Sequence, residues 1–202
     1  MPKLLLATSN LAKVREYRSL LSGVPYELVI LADEGIDDIV DEGGETLEEN
    51  AVLKATAYAA RSRLLTLADD SGLEVDALAG EPGVRSARYA GEMASDRERI
   101  DYLLAKLEGV PWDKRAARFR CFIALAGPGG DVELCYGECH GIIGFQPRGE
   151  GGFGYDPIFY LPELEETMAE LPSELKNQVS HRAQAAHRAR QVLDKLIEEI
   201  AD

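Results

Sequence analysis

The sequence lacks several features that would assign it to a membrane or to a secretory route. It has no run of the roughly 18 apolar residues that are needed to cross a membrane. Its start, MPKLLLATSN, has no long apolar segment of the kind found in signal peptides. Cysteine is scarce, and three residues are an odd number that does not suit a disulfide framework. We therefore expect a cytoplasmic protein without a membrane partner.

Basic residues are also few, since 22 Lys and Arg face 36 Asp and Glu and the formal net charge is -14. Nucleic-acid binding requires clustered Lys and Arg against the phosphates, so we expect no nucleic-acid partner. No Lys or Arg lies between Arg18 and Lys54, an acidic interval, whereas residues 176–195 are rich in basic side chains. The acidic and basic regions could bind a metal ion and a polyanion side by side. The alternative is that the acidic region is a solvated loop and the basic residues lie on the solvent-exposed face of a helix.

Strand and helix patterns alternate over the first 70 residues. KLLLAT is a short apolar run, and helical spacing begins after Asn10, a predicted N-cap. YELVIL is a second strand, after which Thr46 and Glu49 form a capping box that opens a second helix. LLTLAD, residues 64–69, is a third strand, which we expect to end at the aspartate pair.

The second half of the chain contains a predicted β-hairpin. Residues 76–95 read as an irregular connection and a helix follows from about Asp96. The strands 117–126 and 131–140 flank GPGG, a strong hairpin signal, and PIFY and a terminal helix complete the chain. We predict an α/β fold with a mixed sheet, in a single domain over residues 1–202 without a clean internal boundary.

The cysteines do not predict a metal centre. Cys135, Cys139 and His140 have the look of zinc ligands, but the alternation in DVELCYGECH puts both cysteines on one face of a strand. The sequence offers no second pair of ligands. We interpret the two cysteines as packing residues.

TSNLAK joins the carboxyl end of a strand to the amino end of a helix, where free backbone N-H groups favour an anion. Thr8, Ser9 and Asn10 add polar side chains, and Lys13 adds a positive charge one turn into the helix. The segment is not a P-loop, because its sequence pattern is absent. The alternative is a capped helix with an ordinary surface lysine.

GEGGFG matches the dinucleotide fingerprint at Gly149, Gly151 and Gly154, but the context excludes that reading. A fingerprint must open a helix, and this segment runs into an extended apolar stretch. The segment instead predicts a loop that approaches a ligand closely, with Phe153 and Tyr155 available to stack on a planar group. A tight glycine turn with aromatic core residues is the alternative.

LADDSGLEV places Asp69 and Asp70 next to each other after an apolar run. Side chains alternate along a strand, so we expect Ser71 and Gly72 to turn the chain and bring both carboxylates into one crevice. A divalent cation, with Mg²⁺ the natural choice, would neutralise them, and a carboxylate not bound to the metal could take a proton from an attacking water. A turn whose side chains bond the backbone explains the segment equally well.

SHRAQAAHR opens with His181 and Arg182 in the predicted first turn of the terminal helix, after Ser180 as N-cap. Positive side chains oppose the helix dipole there, which suggests a ligand. Imidazole and guanidinium donors suit a keto oxygen on the edge of a base. A small misfit on the protein surface is the alternative.

Together these segments resemble the inosine triphosphate pyrophosphatase family, also called the Ham1-like or XTP/dITP diphosphatase family. The resemblance covers nearly the whole chain, through ATSNLAKVREYRSLL, ETLEENAVLKA, ADDSGLEVDALAGEPGVRSARYAG, GGFGYDPIFY and the spacing of Lys176 from SHRAQA. It implies an elongated mixed sheet flanked by helices, with two lobes around a central substrate cleft. It also implies a homodimer that uses Mg²⁺ to hydrolyse ITP, dITP or XTP to the monophosphate and pyrophosphate, in an order of preference that stays open.

The resemblance further implies roles for individual residues. Asp70 resembles the catalytic carboxylate and a Mg²⁺ ligand, with Asp69 beside it as a second catalytic candidate. A further acidic metal ligand is implied before the T-x-x-E-N segment, where Asp41 and Glu42 compete and Glu45 is also near. The implied substrate contacts are Thr8, Ser9, Asn10, Lys13, Lys54, Ser71, Phe153, Gly154, Tyr155, Asp156, Lys176, His181 and Arg182.

Two other functions fit parts of the sequence. A non-catalytic nucleotide-binding module would use the same scaffold, although it would gain little from clustered carboxylates near a triphosphate. A phosphohydrolase acting on sugar phosphates would need neither the aromatic loop nor the His-Arg pair.

Overall fold

The computed structural model describes residues 1–201, so Asp202, the last residue of the predicted domain, lies outside the described residues. Its sheet has seven strands in the order β2-β1-β3-β4-β5-β6-β7. The strands are β1 (Lys3–Leu6), β2 (Glu27–Ile30), β3 (Leu65–Val75), β4 (Ala116–Ala126), β5 (Val132–Ile143), β6 (Phe159–Leu161) and β7 (Glu166–Thr167). The helices are α1 (Leu11–Leu20), α2 (Leu47–Ser62), α3 (Asp96–Lys106), α4 (Ser173–Val179) and α5 (His181–Ala201).

The sheet is mixed, as predicted. β1 pairs in parallel with both β2 and β3, whereas β6 pairs antiparallel with β5 and with β7. Parallel neighbours need a crossover, and α1 and α2 supply the two crossovers of the parallel part. The predicted α/β fold is therefore confirmed. Within residues 1–201, no helix combines the length and the apolar character that crossing a membrane requires.

The helix starts follow the predicted capping chemistry. Asn10 Oδ1 accepts hydrogen bonds from the backbone N-H groups of Ala12 and Lys13, at 2.9 and 3.2 Å. Thr46 Oγ1 accepts from the Glu49 backbone N-H at 3.1 Å, and the Glu49 carboxylate accepts in return from the Thr46 N-H at 3.3 Å. Both helices therefore begin where the sequence predicts, because local side chains satisfy their first N-H groups.

β3 does not end at the aspartate pair, so this part of the prediction is wrong. The strand continues through Ser71 and Gly72 to Val75. Leu73 and Val75 lie on the buried face of this continuation and are fully buried. Burial of these two side chains keeps the backbone extended and overrides the local preference of Asp-Ser-Gly for a turn.

The chain forms two compact units. The first comprises residues 1–70, 121–137 and the chain from Arg182 onward; the second comprises residues 71–120 and 138–181. The bounds of β3, β4 and β5 show that each of these strands passes from one unit into the other.

In the first unit, both faces of the parallel strands are buried. Leu4 and Leu6 pack in a cluster with Tyr17 and Leu193, whereas Leu5 belongs to a separate cluster that includes α2. Burial on both faces is typical of parallel strands and explains the continuous apolar run of Leu4, Leu5 and Leu6.

The second unit has its own core, built on α3, the continuation of β3 and the later strands. Cys139 lies in this core, while Cys135 lies in a core cluster of the first unit, and both thiols are free. The interpretation of these cysteines as packing residues is confirmed. A five-residue connection joins the sheet neighbours β4 and β5, which confirms the predicted hairpin.

Candidate functional site

Asp69, in the first unit, lies between two cationic side chains. Lys13 Nζ is 3.0 and 2.9 Å from the two carboxylate oxygens, and Arg182 Nε is 3.5 Å from Oδ2. Arg182 also donates from Nη1 to Glu16 Oε2 at 2.7 Å. Lys13 therefore projects inward from α1 and is only 15% exposed, so the alternative of an ordinary surface lysine is wrong.

The charges around Asp69 determine its protonation state. Burial by itself raises the pKa of this carboxyl, but Lys13 and then Arg182 lower the pKa further than burial raises it. The net pKa lies well below its ordinary range. Asp69 therefore stays ionised at neutral pH and holds both cations in place.

Asp70 has different neighbours, which come from α2 and the loop before it. Asn50 Nδ2 donates to Asp70 Oδ2 at 3.1 Å, and Lys54 Nζ lies 3.7 Å from Asp70 Oδ1. The same Lys54 Nζ lies 2.8 Å from Glu42 Oε1 and donates to the backbone oxygen of Asp69 at 2.7 Å. Burial raises the pKa of Asp70, and Glu42 and Asp69 raise it further, against an opposing effect of Lys54 and Lys13.

The sequence predicts that the two aspartates converge through a turn, and this prediction is wrong. Because β3 is continuous, Asp69 and Asp70 follow the alternation of a strand and point to different neighbours. Asp69 contacts side chains of α1 and α5, while Asp70 contacts side chains of α2. One strand thus carries two carboxylates with opposite pKa shifts.

The acidic loop before α2 brings one of its carboxylates to this strand. Glu42 is paired with Lys54, whereas Asp41 and Glu45 are exposed. Glu42 and Asp70 therefore approach the same ammonium group, at 2.8 and 3.7 Å. Within residues 1–201, no cluster of three or more His, Cys, Asp or Glu side chains is arranged to hold a metal ion. Two carboxylates that share one cation nevertheless fit Mg²⁺, which usually takes one or two protein carboxylates and completes its shell with water and substrate phosphates.

The segment before α1 is organised by its own side chains. Thr8 Oγ1 accepts a hydrogen bond from the Asn10 backbone N-H at 3.2 Å, and Asn10 caps the helix. Ser9 is exposed between them. The anion site at the amino end of α1 therefore stays a prediction.

In the second unit, Asp156 organises the aromatic loop. Its Oδ2 accepts hydrogen bonds from Lys176 Nζ at 2.7 Å and from the Phe153 backbone N-H at 2.9 Å. Asp156 and Lys176 are both buried, and Lys176 Nζ also lies 5.2 Å from the centroid of the Phe153 ring. The loop residues and Lys176, predicted from separate motifs, thus come together.

Tyr155 is not available for stacking, which corrects the prediction for this ring. It is buried in the hydrophobic core of the second unit, and its hydroxyl donates to the Ser86 backbone oxygen at 2.9 Å. Phe153, by contrast, is half-buried. For Tyr155 the alternative of an aromatic core residue is the right one.

The glycine loop does not open a helix, which confirms that it is no dinucleotide fingerprint. A short 3-10 turn, Asp156–Ile158, follows it and leads into β6. Gly154 has a left-handed φ of 63°, and its N-H donates to Asp96 Oδ2 at 2.7 Å. Asp96, the first residue of α3, therefore anchors the loop.

His181 and Arg182 are not surface residues, so the alternative of a small misfit at the surface is wrong. His181 is buried and stacks on Phe119, with ring centroids 4.6 Å apart and an interplanar angle of 14°. Arg182 is buried against Asp69 and Glu16.

Ser71, another predicted site residue, is half-buried within β3.

Three residues with structural roles in these clusters do not stand out in the sequence. They are Glu16, which pairs with Arg182; Asn50, which contacts Asp70; and Asp96, which holds Gly154. The only available signal is spacing, since Glu16 lies three residues after Lys13, and Asn50 lies four residues before Lys54, on the same helix face.

These features define an α/β protein with a mixed open sheet and buried acidic and basic side chains gathered on β3 and on the helices beside it. The sequence model of the Ham1 family matches residues 4–192. The chain belongs to the Ham1 family.

Relatives match over almost their whole length. A protein of Geobacter sulfurreducens named dITP/XTP pyrophosphatase is 53% identical over 92% of this chain and 93% of its own. A protein of the same name from Desulforamulus reducens is 50% identical over 96% of both chains. The solved structure of a HAM1 protein from Coxiella burnetii has a TM-score of 0.88 at 42% identity, and covers 96% of this chain and 100% of that one.

Proposed function

We propose that this protein hydrolyses deaminated purine nucleoside triphosphates, dITP, XTP and ITP, to the monophosphate and pyrophosphate. The names of the relatives that are 50 and 53% identical support this activity. The observation that carries the proposal is the pair of carboxylates on β3, each beside a lysine: Asp69 with Lys13, and Asp70 with Lys54. Acids and bases in this arrangement suit a metal-bound triphosphate.

Asp70 is proposed as the group that accepts a proton from the water that attacks the α-phosphorus. The low pKa of Asp69, beside Lys13 and Arg182, makes that carboxylate a poor proton acceptor, which leaves Asp70 as the other carboxylate of the pair on β3. Asp69 is instead proposed to hold Lys13 and Arg182 in position. Attack at the α-phosphorus breaks its bond to the bridging oxygen, and pyrophosphate leaves.

Asp70 and Glu42 are proposed as the carboxylate ligands of Mg²⁺. Glu42 is preferred over Asp41 and Glu45 because it already shares Lys54 with Asp70. Bound Mg²⁺ would offset negative charge on the phosphates. Lys13 and Lys54, with the free N-H groups at the start of α1, are proposed to contact the phosphates and to stabilise the charge on the departing pyrophosphate.

The base is proposed to contact the aromatic loop and the start of α5. Phe153 offers a half-buried ring for stacking, and Lys176 and Asp156 hold the loop that carries it. His181 and Arg182 are proposed to donate hydrogen bonds to the 6-keto oxygen. An amino group at that position would leave such donors unpaired, at a cost of about 1 to 3 kcal/mol each.

A panel of nucleoside triphosphates with Mg²⁺ tests the proposal, with pyrophosphate, orthophosphate and monophosphate measured together. We expect dITP, XTP and ITP to release pyrophosphate at least about tenfold faster than ATP, the factor that one unpaired donor provides. Asp70→Asn should lower turnover by at least about a hundredfold, since proton transfer typically contributes that much. The control is Asp101→Asn, at an exposed ion pair with Arg97, which should leave turnover unchanged.

Other outcomes would contradict this function. Release of orthophosphate would place the cleavage at the γ-phosphate. Metal-dependent binding of ITP without turnover would indicate a non-catalytic binding module. On the resemblance to the family, the protein is also proposed to be a homodimer and to be cytoplasmic. Light scattering on the purified protein measures its oligomeric state.

A further inference from the structure

Asn50 is a fully buried polar side chain that contacts two separate parts of the first unit. It is 0% exposed and lies in the first turns of α2. Its Nδ2 donates to Asp70 Oδ2 at 3.1 Å, and its Oδ1 accepts from the Gly44 backbone N-H at 2.9 Å. One amide therefore links the carboxylate on β3 to the loop that carries Glu42.

Gly44 is shaped for this contact. A Cβ at this position would lie 2.7 Å from Asn50 Oδ1 and 2.9 Å from the Cβ of Glu49, closer than real Cβ contacts. The adjacent Gly43 would meet nothing within 4 Å. Neither glycine has a positive φ, so close approach to Asn50, and not backbone conformation, is what distinguishes Gly44.

Lys54 makes a parallel link one helical turn later. It contacts Glu42 of the loop and Asp70 of β3, and both of these links depend on charge. A triphosphate that binds Lys54 would compete with these two carboxylates. The link through Asn50 is neutral and does not depend on where the lysine points.

We propose that Asn50 is a positioning residue that holds Asp70 and the Glu42 loop at a fixed spacing, whether or not Lys54 is bound to substrate. This inference rests on the proposed function, in which Asp70 and Glu42 are metal ligands and Asp70 takes a proton. Partners of this kind, which orient a metal ligand, typically change metal affinity or activity 10- to 100-fold when they are removed.

The test uses four single variants of the full chain and one double variant. Asn50→Ala removes both contacts, and Asn50→Asp keeps the acceptor for Gly44 but loses the donor to Asp70. Gly44→Ala pushes the loop away from an intact Asn50, and Gly43→Ala is its matched control. Circular dichroism and thermal unfolding establish whether each variant is folded. If an Asn50 variant does not fold, Gly44→Ala still tests the link between Asn50 and the Glu42 loop.

The expected result is a loss of kcat for dITP of roughly 10- to 100-fold in both Asn50 variants and in Gly44→Ala, with KM close to the wild-type value. Gly43→Ala should match the wild type. The double variant Asn50→Ala with Gly44→Ala should be no worse than the poorer single variant, because both changes break one link.

Metal binding gives a readout that is independent of turnover. Mn²⁺ is titrated without nucleotide and free Mn²⁺ is followed by electron paramagnetic resonance. We expect its dissociation constant to rise about 10-fold or more in Asn50→Ala and Gly44→Ala, and to stay unchanged in Gly43→Ala.

Four results would overturn the inference: additive losses in the double variant, a change in KM alone, equal effects of Gly43→Ala and Gly44→Ala, or Mn²⁺ affinity that does not respond to Asn50. A wild type that binds Mn²⁺ but hydrolyses no nucleoside triphosphate would instead overturn the proposed function, and the Mn²⁺ titrations would still decide the role of Asn50. A wild type that hydrolyses dITP but binds no Mn²⁺ in the absence of nucleotide would overturn the inference about Asn50 and leave the proposed hydrolysis standing.

Discussion

At the scale of single residues, the aspartate pair shows how far surroundings separate two identical groups. Asp69 faces Lys13 and Arg182 and has a depressed pKa, while Asp70 is buried beside Glu42 and has a raised one. Titratable neighbours with opposite shifts are a common basis for dividing tasks in an active site. Here the division separates the residue that positions cations from the residue proposed to take a proton.

Replacement of Asp69 should destabilise the fold. Asp69→Asn leaves Arg182, which is 3% exposed in its side chain, with less compensation for its buried charge. We expect the free energy of unfolding to fall by about 3 kcal/mol, the lower end for breaking a buried ion pair. Urea denaturation at neutral pH measures this loss.

The control for Asp69 is Glu34→Gln, at the more exposed pair with Lys3. That pair should contribute less than about 1 kcal/mol, because solvent screens it. Equal losses of unfolding free energy in the two variants would show that the buried charge of Arg182 does not need Asp69 for its compensation.

Residues were predictable from the sequence where a motif fixes both type and spacing, as in the capping box and the lysine after Asn10. Tyr155 was not, because the sequence does not distinguish a core aromatic from one that faces a ligand when both follow a glycine loop. Asn50 and Asp96 were also missed, since each acts through a partner that is distant in the sequence.

At the scale of elements, β3 is where tertiary packing overrides local sequence. The Asp-Ser-Gly segment has turn chemistry, yet the strand continues because Leu73 and Val75 are buried beyond it. The same continuation carries Glu74, which accepts hydrogen bonds from Arg118 at 2.8 Å and from Arg120 at 2.9 Å on the neighbouring strand β4.

Glu74 should make stability depend on pH. Burial raises the pKa of its carboxyl, but the hydrogen bonds from Arg120 and Arg118 lower it more, so the folded pKa lies below the ordinary 4.5. Its contribution is therefore complete above pH 4.5 and is lost as the pH falls through the folded pKa.

Glu74→Gln should lower the free energy of unfolding by about 1 kcal/mol at neutral pH, and the difference from the wild type should shrink in acid below the pKa of the unfolded chain. Urea denaturation across this range measures the difference, with Glu108→Gln at an exposed position as control. A difference that stays constant with pH would rule out ionisation of Glu74 as its source.

At the scale of the whole molecule, the α/β class and the mixed sheet followed from alternating strand and helix patterns and from the GPGG hairpin. α4 and β7 were missed because seven and two residues are too few to show a period. The division into two compact units was not readable from local patterns either, since each unit is assembled from separate stretches of chain.

We expect unfolding to be a single cooperative transition, because β3, β4 and β5 each run through both units. Trp112 is the sole tryptophan of the sequence and lies in the second unit, so its fluorescence reports on that unit. Far-UV circular dichroism reports on all helices. The two urea curves should coincide, and separated midpoints would show that the units unfold independently.

The unbroken course of β3 also restricts how its sequence can change in length. Side chains alternate between two faces, so inserting or deleting one residue ahead of Asp69 would exchange the surroundings of every later position. The carboxylate now held by cations would move to the side of α2, and its neighbour would move the opposite way. A substitution within Leu65–Val75 changes one side chain at a time. A shift of the strand register by a single residue would instead exchange the surroundings of the two carboxylates.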